Sequence, residues 1–286
     1  MIDVLKDTGL DFIKLLPFLF LTYLLMEFIE HKTSEKAEES IRRAGVFGPV
    51  IGGMLGIVPQ CGFSASASGL YAGRIISVGT LAAIFLSTSD EMLPVCISEQ
   101  VPVAVILKIL AVKAGTGVVF GLLIDLVMRL TRRQSRKQEI HCLCEQEHCH
   151  CEEESILRSA LHHTVKIAVF ILVITFALNT VIYLIGEQNL GKLFVDVPVV
   201  GCAVAALIGL IPNCAASIVI TELFLSGVIS TGAMLAGLLT GSGIGLLVLF
   251  RLNKNIKENL AIAALVFGIG VAVGSVVELC GITFAV

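Results

Sequence analysis

Long apolar runs separated by short polar breaks dominate the chain, and their lengths predict helices rather than strands. The first run, Phe12–Ile29, is followed by a polar loop at His31–Arg43. A second run, Ala44–Val58, stops at Pro59-Gln60-Cys61, and a third, Gly62–Gly73, is rich in Ser, Ala and Gly. A fourth, Ile75–Ile97, is interrupted by Ser87-Thr88-Ser89-Asp90-Glu91, and a fifth spans Pro102–Leu130. The long polar segment Thr131–Ser155 comes next. The pattern then starts again with Ile156–Ile185, Val197–Ile211, Ala215–Ser226, Val228–Phe250 and Leu260–Ala285. A bilayer core about 30 Å thick is crossed by about 20 helical residues. The pattern therefore predicts an all-α, polytopic membrane protein of ten transmembrane or re-entrant segments. Residues 1–130 form a first membrane repeat, 131–155 a linker and 156–286 a second repeat. Phe12–Ile29 reads as a helix rather than a signal peptide, since Asp3, Asp7 and Asp11 precede it and no small-residue cleavage site follows.

Sliding the sequence along itself at an offset of 153 lays Gly45–Cys61 on Pro198–Cys214 without a gap. Gly48, Gly56, Pro59, Cys61 and Ser64 then fall on Gly201, Gly209, Pro212, Cys214 and Ser217. Farther along, Gly115, Gly117, Gly121 and Asp125 fall on Gly268, Gly270, Gly274 and Glu278. Small residues coincide easily in membrane helices, but a shared Pro-polar-Cys and a shared acid in one register point to duplication.

Composition and charge sharpen this picture. Of 286 residues, 56% are apolar and 15% charged, against roughly a quarter charged in soluble domains. The net charge of −3 offers no basic surface for nucleic acid. Lys and Arg gather at Lys32–Arg43, Arg129–Lys137 and Arg251–Lys257. The positive-inside rule puts all three clusters, and so the linker, in the cytoplasm, with both termini outside. Five segments per half is an odd number, so the second half is inserted upside down, the inverted-repeat plan of secondary transporters. The short arms before and after each Pro-polar-Cys fit re-entrant hairpins whose tips approach the membrane midplane from opposite faces.

The tips carry the first candidate chemistry. Gln60 and Asn213 offer amide oxygens, and Cys61 and Cys214 offer sulfur, a mixture suited to a transition or heavy-metal ion. Acids inside membrane segments are costly enough to read as functional. Asp90, Glu91 and Glu222 are therefore expected substrate ligands. Asp125 and Glu278, nearer segment ends, suit either coupling or the membrane surface. Lys113, deep in the fifth segment, either neutralises the acids when no cation is bound or binds an anionic substrate.

The linker carries the second signal. His141, Cys142, Cys144, His148, His150, Cys149 and Cys151 form a thiolate and imidazole cluster suited to Zn or Cu(I), without zinc-finger spacing. A reducing cytoplasm argues against disulfides there. No H-E-x-x-H, G-x-S-x-G or phosphate-loop signature is present, so no enzyme is expected.

At Ile57–Ser64, Leu86–Pro94 and Gly209–Ala216 the chain resembles the ten-helix heavy-metal exporters, whose members are labelled arsenic efflux proteins or manganese transporters. The resemblance extends over the chain apart from the linker. It implies ten segments and efflux of a metal or metalloid ion, with Gln60, Cys61, Asp90, Glu91, Asn213 and Cys214 as the matching motif positions. The expectation is a secondary transporter in the cell membrane, exporting a divalent ion such as Mn²⁺ by alternating access. A proton or other cation is the expected counter-ion, and no cofactor is expected beyond linker-bound metal. The alternatives are an exporter of trivalent arsenicals, an anion carrier or a passive ion channel.

Overall fold

The computed structural model describes residues 47–57, 61–89, 92–131 and 198–284, with isolated positions elsewhere. Every regular element among them is helical. In chain order these are α1 Gly48–Leu55, α2 Cys61–Ala72, α3 Val78–Ser87, α4 Met92–Ser98 and α5 Val103–Leu130. The same order returns as α6 Pro198–Gly209, α7 Cys214–Leu225, α8 Thr231–Thr240, α9 Gly245–Leu252 and α10 Ile256–Leu279. The linker and most of the first and sixth expected segments lie outside the described residues.

Among the described residues, four stretches are long and apolar enough to cross a membrane: 78–98 (α3 with α4), α5, 231–252 (α8 with α9), and α10. They sort into two kinds. Along their apolar stretches 75% of α3–α4 and 89% of α8–α9 is buried, against 39% for each of α5 and α10. A helix that is apolar all round belongs inside, and one with a single packed face belongs at the rim. Every residue from Gly79 to Ser87 and from Thr231 to Thr240 is buried. Outside them, α5 exposes Leu107, Val119, Leu123, Leu126 and Val127, an apolar face suited to lipid.

The inner helices pack closely on the outer ones through paired glycines. A Cβ on Gly79 would lie 2.3 Å from the Gly121 carbonyl oxygen, and one on Gly232 would lie 2.5 Å from that of Gly274. Only hydrogen fits there, so the backbones of α3 and α5, and of α8 and α10, approach directly. Elsewhere the halves exchange partners: α2 packs against α9, and α7 against α4.

The 153-residue offset has a counterpart in the hydrogen bonds. Ser77 caps α3 by accepting from Thr80 N at 3.1 Å, and Ser230 caps α8 by accepting from Ala233 N at 3.2 Å. Ser87 Oγ donates to the carbonyls of Ala83 and Ile84, and Thr240 Oγ1 donates to those of Ala236 and Gly237. The last helix departs from the apolar pattern at both ends. It starts at Ile256 rather than Leu260 and ends at Leu279 rather than Ala285. Asn255 caps it by accepting from Glu258 N, so its first turn is charged and invisible to hydropathy. At the other end Gly281, at φ +64°, turns the chain out of the helix.

Candidate functional site

The two breaks in the buried helices define the centre. Helix α3 ends with Thr88 extended at φ −55°, ψ 127°, and Ser89 follows, both buried. Helix α8 ends at Thr240, and Gly241, Ser242 and Gly243 lead toward α9, Gly243 at φ +54°. Ser and Thr compete with helical hydrogen bonds, and Gly tolerates the left-handed turn, so each sequence loosens its helix by a different route. A broken helix exposes carbonyl oxygens that must find donors inside a membrane protein.

Lys113 supplies one. It projects from the middle of α5 and is 1% exposed. Its Nζ donates to the carbonyl oxygen of Thr88 and, at 2.8 Å, to that of Leu238. One ammonium thus joins backbone oxygens of the two broken helices, one from each half. Both oxygens lie at helix C-terminal ends, where the helix dipole is negative.

Two acids do separate work. Asp125, which is buried, accepts from Gly79 N at 2.9 Å through Oδ1 and from Ser77 Oγ at 2.6 Å through Oδ2. Glu278, half-buried, accepts from Gly232 N at 3.1 Å. Each carboxylate from a long outer helix thus closes the positive N-terminus of a buried one. Glu278 also lines a cavity of about 350 Å³ with Phe224, Gly227, Ser230, Thr231 and Thr283. Glu222 is exposed on the surface of α7.

The two Pro-polar-Cys stretches are described in part. Cys61 and Cys214 are the first residues of α2 and α7. Asn213 is 3% exposed, and its carbonyl oxygen accepts from Ala216 N at 3.3 Å. Gln60, Asp90 and Glu91 lie outside the described residues, as do His141, Cys142, Cys144, His148, Cys149, His150 and Cys151 of the linker. Among the described residues no three His, Cys, Asp or Glu side chains gather into a metal-binding group.

One cluster had no counterpart in the sequence reading. Arg74, in the turn between α2 and α3, is bidentate to Glu258 at the start of α10, at 2.6 and 3.0 Å. Its guanidinium lies 5.1 Å from the centroid of the Tyr71 ring, and the Tyr71 hydroxyl donates to Glu258. The bond to Glu258 holds the guanidinium above its ordinary pKa. Arg74 has φ +59°, a left-handed conformation that the matching Gly227 adopts at +72°. A charged residue in a short turn between apolar arms was the available signal. Nothing in the spacing tied it to an acid 184 residues away.

Neither the curated proteins nor the solved structures contain a match to this chain. Residues 1–186 do match a family described as "Putative, 10TM heavy-metal exporter". The matched stretch includes the break after α3, Lys113 and the linker, and it ends before α6. An all-helical architecture with buried, broken helices and lipid-suited outer faces agrees with that description, and the chain belongs to this family of ten-helix heavy-metal exporters.

Proposed function

We propose that this chain is a secondary transporter that moves a divalent transition or heavy-metal ion, Mn²⁺ or one of similar charge, out of the cell by alternating access. The observation that carries the reading is the Lys113 ammonium held between carbonyl oxygens of two broken, buried helices. Carbonyl oxygens at two negative helix ends favour a cation at this locus and oppose an anion. The lysine is already engaged by oxygen acceptors, which weakens the anion-carrier alternative. Asp90, which directly follows Ser89 at the first break, supplies charge in this reading, with Glu91 and Glu222. Gln60, Cys61, Asn213 and Cys214 supply amide oxygen and sulfur at the hairpin tips.

The two halves act as inverted repeats, with the linker in the cytoplasm and the termini outside. The hairpin arms support re-entrant tips by their length. The 12-residue helices α2 and α7 reach about 18 Å, short of a bilayer core of about 30 Å. Irregular backbone at that depth is tolerated where it lines a cavity or is buried in protein.

The test is flux of Mn²⁺, Cd²⁺, Zn²⁺ and arsenite into inside-out vesicles. A divalent cation stripped of water needs negative charge nearby, whereas a neutral trivalent arsenical needs sulfur. Asp90→Asn should therefore abolish metal flux at normal expression. Cys61→Ser and Cys214→Ser should weaken Cd²⁺ and Zn²⁺ flux strongly and Mn²⁺ flux modestly. Normal flux in Asp90→Asn, with arsenite flux lost in either cysteine variant, would replace the divalent ion by an arsenical.

A further inference from the structure

The break after α8 leaves a specific oxygen without its helical donor. In a continued helix Ser242 N would serve Leu238 O, but it donates to Thr240 O at 2.8 Å instead. Leu238 O receives Lys113 Nζ at 2.8 Å. Thr88 O, just past the end of α3, receives the same Nζ. The locus is thus built from backbone of both halves, whereas the cation in it is a single side chain from one. At the position of α10 that matches Lys113 by the 153-residue offset stands Val266, so the duplicated frame does not require a lysine. Nor does packing alone: a lysine that is 1% exposed inside a membrane protein is costly and is replaced by an apolar residue in the other half. Its stem is long and rotatable, unlike the backbone oxygens it contacts.

We propose that the ammonium of Lys113 is a tethered stand-in for the transported cation. It occupies the oxygen locus when the carrier is empty. It is displaced when a metal ion enters and returns when the ion has left, keeping its proton throughout. Substrate-free carrier could then change its access without taking an uncompensated negative site through the membrane. A channel has no need of such a device, because its site never has to return empty. The inference rests on the cation-export reading above.

The experiment uses the full chain in liposomes, with Mn²⁺ and Cd²⁺ as probes. It measures metal binding, net flux into metal-free vesicles, and metal-for-metal exchange. Lys113→Gln removes the competitor. If the ammonium fills the locus nine-tenths of the time, apparent affinity should rise about tenfold. Exchange should persist, because loaded carrier moves in both directions, while net flux should fall sharply for want of a filled empty state. A lysine that merely staples two carbonyls would instead lower exchange and net flux in the same proportion. That result, or an unchanged or weaker affinity, overturns the proposal. Should Lys113→Gln fail to fold, Lys113→Arg carries the test. A guanidinium offers more donors to the same oxygens, so metal binding should weaken, and unchanged affinity overturns the proposal. Wild-type protein that neither binds nor moves either metal overturns the export reading and this inference with it. Wild-type transport with the wrong pattern in the variants overturns the role of Lys113 alone.

Discussion

Asp125 in the first half and Glu278 in the second close the N-termini of equivalent helices, yet their surroundings differ. Asp125 is buried and holds both Gly79 N and Ser77 Oγ. Glu278 is one methylene longer, holds Gly232 N, and borders a cavity. The same divergence recurs beside them. Where the first half has Tyr71 and Arg74 clamped to Glu258, the second has Phe224 and Gly227 at the cavity wall. Where the first has Lys113, the second has Val266. Serine caps, glycine contacts and carboxylate caps are kept in both halves because they determine whether the helices pack. Charged side chains at the centre and at the turns differ between the halves, as Lys113 against Val266 and Arg74 against Gly227 show. Helices whose contacts recur at one offset thus end in turns and breaks that are not equivalent.

The sharpest way to break this comparison is through the glycines, which should behave alike in both halves. Gly79→Ala and Gly232→Ala each force a methyl onto a backbone oxygen. Each should destabilise by roughly 3 kcal/mol, the upper end for overpacking, because backbone cannot swing aside. Gly115 and Gly268 have open space around a built Cβ. Alanine there should be harmless, or stabilising by up to about 1 kcal/mol through helix propensity. Thermal unfolding in detergent would show it. A half in which the two kinds of glycine are equally tolerant would not share the frame.

The carboxylate caps should separate the halves. Asp125→Ala leaves the buried Gly79 amide unsatisfied and removes the bond from Ser77, for a loss of about 2–3 kcal/mol. Glu278→Ala should cost less, about 1 kcal/mol, because water in the neighbouring cavity can serve Gly232 N. The same unfolding measurement decides the order. An equal or larger loss for Glu278→Ala would mean that its cap is as dry as the first.

The smallest effect concerns Arg74. Removing its side chain breaks the clamp to Glu258, and the left-handed backbone adds a second term that depends on the replacement. Arg74→Gly and Arg74→Ala lose the same contacts, but only Gly accepts φ +59° freely. The alanine variant should be less stable than the glycine variant by about 1 kcal/mol. Equal stabilities would show that the turn relaxes once the clamp is gone.

Much of the helical layout was legible because it is local. Pro59 and Pro212 predicted interruptions, and α2 and α7 begin two residues later, at Cys61 and Cys214. The run Ser87-Thr88-Ser89 predicted the interruption between α3 and α4, and Thr240-Gly241-Ser242-Gly243 carries the matching one. Offset 153 gave the register at which both halves repeat their contacts. The charged first turn of α10 was missed, since capping polarity and loop polarity look alike in a hydropathy profile. Of the candidate site, Lys113 was found from the rarity of a charge in mid-segment. Its acceptors were not, because a carbonyl oxygen has no residue signature.

The sequence by itself therefore determined which described stretches form apolar helices, where two of them break, and the offset at which their contacts recur. These follow from apolar run length, helix-breaking residues and self-similarity, which need no knowledge of neighbours. Only the tertiary structure decided that Asp125 and Glu278 serve as caps, and that α2 packs on the other half's α9. It alone brought Tyr71 and Arg74 to Glu258, and the Lys113 ammonium to oxygens of both halves. These depend on the angle at which helices meet and on which backbone groups a break leaves open. A buried charge goes wherever the assembled fold has an unsatisfied partner, and chain separation does not limit where that partner lies.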